Sequence, residues 1–135
     1  MNEINKTLYD TLKAGTALTA LLGGTLIYHN QAPDNSAYPC VVFSQQAGHD
    51  ENDTPKRRKS MAMFVRAYSK TSAAHAGSID AQIDTLLHGK TLSVSGWANF
   101  WCVRDLNFDL IENLPSGEKI WMQGAFYRIR LEGSS

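Results

Sequence analysis

The stretch MAMFVRAYSKTSAAHAGSIDAQIDTLLHG, residues 61–89, changes its apolar period midway and so decides the fold class. In its first part Met61, Met63, Val65 and Ala67 alternate with Ala62, Phe64, Arg66 and Tyr68. That period of two, with little polar on either side, predicts a strand covered on both faces for most of its length. In its second part Ala76, Ile79, Ile83, Leu86 and Leu87 fall on one helical stripe, while Ser78, Asp80, Asp84, Thr85 and His88 point away. Ser72 is placed to cap this helix through its hydroxyl, and Gly89 to end it in the left-handed region. Asp80 and Asp84 share the outward face with Ser78 and His88, so they read as a solvated surface rather than as paired catalytic carboxylates.

Working outward, Pro39 opens the β-branched and aromatic run 40–45, a strand that keeps its ladder hydrogen bonds because the proline stands at its start. Residues 47–59 are polar and charged, interrupted by Pro55, and predict the long charged tip of a hairpin that joins this strand to 61–68. Further back, Ile4, Leu8 and Leu12 mark a first amphipathic helix, and Gly15 interrupts it. Thr16 is placed to cap a second short turn through Leu18, Leu21 and Leu22, which Gly23 and Gly24 stop. A short strand at 26–28 and a loop at 29–37 follow. The C-terminal third reads as strands at 91–94, 100–111 and 120–131, the last two joined by a turn at 113–118. In that hairpin Leu106, Phe108 and Leu110 alternate with Asp105, Asn107 and Asp109, and Tyr127, Ile129 and Leu131 with Phe126, Arg128 and Arg130, which predicts one wet face per strand. The fold expected is α+β, an antiparallel or mixed β-sheet packed against two main helices, as one domain over residues 1–132 with a loose tail at 133–135.

At 135 residues and 43% hydrophobic the chain can bury a core without disulfides or metal. Thirteen basic and thirteen acidic side chains cancel, so no global field draws in a polyanion. The polar N-terminus and the absence of a long apolar run argue against secretion and against a membrane. Cys40 and Cys102 lie inside apolar runs and read as buried, reduced thiols. The four histidines have no metal-ligand spacing, and His49 with Asp50, Glu51 and Asp53 lacks the order of a calcium loop. No nucleophile elbow or thiol-enzyme context is present, and Gly23-Gly24 ends a helix rather than opening one against phosphate. No catalytic, cofactor or metal residue is therefore assigned, and the chain reads as an intracellular assembly protein rather than an enzyme. The candidate interface residues are Asp50, Glu51, Asp53, Lys56, Arg57, Arg58 and Lys59 in the charged hairpin, and Trp97 and Trp101, which core packing also suits. The acidic residues partly neutralise the basic run that follows them.

The order of elements, together with Leu8-Tyr9-x-x-Leu12, Ala17-Leu18-x-x-Leu21-x-Gly23-Gly24, Ile27-Tyr28 and Tyr38-Pro39-Cys40-Val41-Val42-Phe43, resembles the tail completion or tail terminator proteins of long-tailed bacteriophages. Residues 79–89 are similar to that family's second helix, and Pro115-Ser116-Gly117 to its closing hairpin, so the resemblance spans about residues 8–131. It implies a structural protein of the virion tail, present in the bacterial host cytoplasm during assembly. It implies a homo-oligomeric, hexameric ring on the head-proximal end of the tail tube, which stops tube growth and meets the head-tail connector protein. The implied partners are further copies, the tail tube protein and the connector, with DNA passing through the ring without specific binding, and with no cofactor. The alternatives are a head-tail connector or adaptor subunit and, from another class, a small nucleic-acid-binding module using Lys56 to Lys59.

Overall fold

Three helices lie on one side of a five-stranded sheet, in the order α1 (Asn2–Lys13), α2 (Thr16–Leu22), β1 (Ile27–His29), β2 (Cys40–Asp53), β3 (Lys56–Ser69), α3 (Ala73–Leu87), β4 (Trp97–Asn113) and β5 (Lys119–Gly133). This computed structural model describes residues 2–31, 38–53, 56–90 and 97–133, of which 46–53, 56–59, 98–101, 132 and 133 are placed by backbone register. The strand expected at 91–94 lies outside the described residues. The sheet order is β1-β2-β3-β5-β4, with β1 parallel to β2 and the other three pairs antiparallel. The fold is α+β with a mixed sheet, as the periodicities predict.

The core forms between the helices and one face of the sheet. Ile4, Leu8 and Leu12 from α1, Leu18 and Leu22 from α2, and Ile79, Ile83 and Leu87 from α3 meet Val41, Phe43, Met61, Met63, Val65, Tyr127, Ile129 and Leu131, all buried. Ser72 caps α3 by accepting from the His75 amide at 3.0 Å. Gly89 follows at a φ of 70°, and Gly23 closes α2 at 75°. Thr16 does not cap α2. The N-cap is Gly15, without a side-chain bond, because a Cβ there would stand 2.5 Å from Leu86 Cδ1 where α2 meets α3.

Three expectations change. The charged tip is strand almost to its end, since β2 and β3 pair continuously from Cys40↔Tyr68 to Asp53↔Lys56 with one bulge at Gln46. In that register Asp50, Glu51 and Asp53 stand opposite Lys59, Arg58 and Lys56, an acidic run paired with a basic one.

The second change concerns β4. Leu106 and Leu110 are 55% and 59% exposed, so their row is not the dry one. Arg104 pairs with Tyr127 but Asn107 pairs with Ala125, which inserts one extra residue and turns every later side chain to the other face. Phe108 and Leu110 therefore lie on the helix-free face, level with Gly124 and Met122. The third change is Asp80, which is only 7% exposed and engages Arg104. Trp97 and Trp101 both belong to β4, and β5 runs one residue into the expected loose tail, where Gly133 pairs with Trp97.

Candidate assembly surfaces

Beyond the core, the sheet presents a charged hairpin, two edges and a helix-free face. The hairpin projects past β1, which pairs with β2 only at Val41, Val42 and Phe43. From residue 44 to 53, β2 has β3 as its sole ladder partner among the described residues. Over 46–53 its outer edge has no ladder partner among the described residues, which leaves a strand edge open to pairing.

The opposite edge is β4, and its two halves differ. In the first half Gly89 donates to the Cys102 carbonyl at 2.7 Å and the Arg104 amide donates to His88 Nδ1 at 3.0 Å, so the end of α3 covers that edge. In the second half, 105–113, no described residue pairs with the edge. The described large apolar side chains that stand exposed, Leu106, Leu110 and Ile111, all lie in this half, at 55%, 59% and 58%. Such a concentration on an unpaired edge marks an interaction surface, where scattered single residues would not.

The helix-free face is apolar and aromatic around Phe126 and Met122, and wet at Arg128, which is 58% exposed and pairs with Asp105. Phe64, Phe108 and Phe126 form a mutual cluster with centroids 4.8 to 5.2 Å apart, beside Gly124, which pairs with Phe108. Cys40, Val42, Ile120 and Met122 on this face are buried although no helix covers them. They are shielded because the sheet curls, so that Asn30 beyond β1 and Glu112 at the end of β4 line one cavity of about 240 Å³. A second cavity of about 300 Å³ adjoins it, lined by Tyr68, Leu110, Ile111, Glu112, Ile120 and Met122.

Two arginines of the sheet contrast sharply. On the helix face Arg104 donates to both Asp80 oxygens, at 3.2 and 2.6 Å, and to the Tyr127 hydroxyl at 3.0 Å, with Asp84 at 3.7 Å. Burial alone would lower this guanidinium, but hydrogen bonds and charge from Asp80 and Tyr127 outweigh it and raise it further. Burial also raises the Tyr127 phenol, and it pushes the Cys102 thiol up to about 12, with Asp84 adding to the effect. On the helix-free face Arg66 lies over the rings of Phe64 and Tyr68, at 5.0 and 6.0 Å. Its Nε is buried without a partner, and it has no hydrogen bond or ion pair among the described residues.

Trp97 is half-buried against the main core. The other interface candidates, Asp50, Glu51, Asp53, Lys56, Arg57, Arg58, Lys59 and Trp101, fall where only backbone register is described. Register places the hairpin seven together on paired strands and Trp101 on β4 across the sheet. Reading the sequence missed Arg66 and the Arg104 network, because a lone arginine in an apolar strand does not announce which face it will occupy. Cys40 and Cys102 are buried, and neither forms a disulfide. Among the described residues no three histidine, cysteine or acidic side chains come together to hold a metal, and no helix is long and apolar enough to cross a membrane.

A small α+β subunit with a charged hairpin, unpaired edge stretches and an apolar sheet face is built for association with other polypeptides. The chain belongs to the tail completion protein gp17 family, which it matches over residues 6–121. It is thus a structural protein of bacteriophage tail completion. Among solved structures it is similar to a chain in "Virion of native gene transfer agent (GTA) particle", with a TM-score of 0.71 and 19% identity over 93% of this chain and 92% of that one. At that identity the likeness is one of fold. Among curated proteins none matches the chain.

Proposed function

We propose that this protein forms a hexameric ring that caps the head-proximal end of the tail tube, stops tube growth and joins the tail to the head connector. The observation that carries the reading is the presence of two different free edge stretches on opposite sides of one sheet, at β2 and β4. A closed ring needs a heterologous contact, one patch meeting a different patch on the neighbour. Since β4 runs antiparallel to β2, a neighbour that continues the sheet can meet it antiparallel, like the pairs already present. The family membership supports the reading, as does a structural neighbour that belongs to a virion. On this reading the assembling unit is residues 1–132, it acts without catalysis, and it passes from the host cytoplasm into the virion tail, with DNA threading the ring unread.

Tail assembly with and without the protein tests this, with tube length measured by electron microscopy. Tubes should overgrow without it and stop when it is added, and sedimentation should find a closed oligomer alone or on tube ends. Tubes of normal length that merely fail to join heads would make the protein a connector subunit instead.

A further inference from the structure

We infer that the helix-free face of the sheet is a docking groove for an extended, carboxylate-bearing apolar segment of a partner protein, with Arg66 as the group that receives the carboxylate. The inference deepens the assembly reading and rests on it. The comparison of two arginines in one sheet motivates it. Arg104 has carboxylate and hydroxyl partners supplied by its own chain, as a partly buried guanidinium requires. Arg66 has a buried Nε and no acceptor among the described residues. The residue as a whole is half-buried and lines an open cavity, so the donors of its guanidinium other than Nε can be completed from outside the chain.

The surroundings define that complement. Phe64 and Tyr68 hold the guanidinium by ring contact, and with Nε buried its two terminal nitrogens are the donors left for a ligand in the cavity. A carboxylate matches that fork with two parallel bonds. The cavity around Arg66 also carries Asn30, Gln31 and Tyr38, whose side chains can bind the amides of an extended chain. Glu112 lines the same cavity without pairing with Arg66, and it marks the rim shared with the neighbouring apolar cavity. That second cavity, with Leu110 and Ile111 more than half exposed at its mouth, accepts the apolar side chains next to the carboxylate. Charge complementarity thus selects an acidic, apolar peptide over a basic or a neutral one. Nucleic acid phosphate would satisfy Arg66 but not the apolar cavity beside it.

The test uses the full chain and two probes, acetyl-Leu-Glu-Leu-Glu-Leu-amide and its counterpart with glutamine for glutamate, followed by NMR. The acidic peptide should shift the Arg66 Nε–H signal and the Met122 methyl, and it should bind at least tenfold more tightly than the amide peptide. Arg66→Gln should remove that preference, Arg66→Lys should retain part of it, and Leu110→Asp should weaken both peptides, with thermal melts confirming that each variant folds. In tail assembly, Arg66→Gln should leave the ring intact but prevent completion. Equal binding of the two peptides, or a preference that survives Arg66→Gln, would overturn the inference. So would occupation of the groove by a second copy, seen as perturbation of the same signals with protein concentration alone. A ring that never forms in the unmodified protein would defeat the assembly reading itself, a separable outcome.

Discussion

At Asp80 a carboxylate that is 10% exposed accepts two hydrogen bonds from Arg104, which is 19% exposed. Removing it strands a guanidinium beside the core, whereas removing Asp84, 39% exposed and 3.7 Å from Arg104, leaves the guanidinium paired and costs only the acceptor to which the Tyr127 hydroxyl donates at 3.3 Å. Asp80→Ala should therefore cost about 2 to 3 kcal/mol, below the usual range for a fully buried pair, and Asp84→Ala less than about 1 kcal/mol. Urea unfolding of both variants checks this. Cys102 makes a second residue-scale case. Its thiol titrates near 9.0 when unfolded and is pushed up to about 12 by burial when folded. The folded state therefore holds its proton more tightly, so this stabilisation is complete below pH 9.0 and is lost as the pH rises through about 12. Tyr127, raised in the same direction, adds to that alkaline loss. Cys102→Ala should be less stable at neutral pH yet show a shallower decline over that alkaline window, as melting temperatures across it would reveal.

At the scale of elements, β3 and β5 approach so closely that a Cβ on Gly124 would stand 2.5 Å from the Val65 carbonyl oxygen and 3.0 Å from Arg66 Cα. Both are backbone atoms and cannot rotate away. Gly124→Ala should cost about 1 to 3 kcal/mol and disturb the aromatic cluster above it. Gly15→Ala meets chiefly the end of the half-buried Leu86 side chain, which can turn aside, with the Leu12 carbonyl oxygen at 3.3 Å as its nearest backbone contact, so its cost should be the smaller of the two in the same chemical melts. The helices were legible from sequence because their apolar stripes and end signals, Ser72, Gly23 and Gly89, are local. The strand core of β3 and β5 was legible for the same reason. The course of β4 was not, because a single inserted residue at the bulge reverses the meaning of the alternation after it, and no residue type there forces the bulge.

For the whole molecule, thirteen cations balance thirteen anions, and the strongest basic run is registered strand against strand with the strongest acidic one. Counterion release, which drives nonspecific binding to DNA, needs unpaired cations on one surface. The protein should not retain duplex DNA at low salt, and a filter-binding or mobility-shift titration checks this. Retention that weakens steeply with salt would point instead to a nucleic-acid-binding module. The free edge stretches and the curled face, rather than net charge, then give the molecule its directed surfaces.

Period, capping residues and composition determined by themselves that this chain is α+β with the helices it has, since those signals act within a few residues of one another. Tertiary structure alone decided which edge stretches stay open, which face Leu110 occupies, and that Asp80 is an anchor rather than surface. It also decided that of two strand arginines one is satisfied from within and the other is not. Those outcomes depend on register and on approach between segments far apart in the chain, where a shift of one residue exchanges the buried face of a strand for the exposed one.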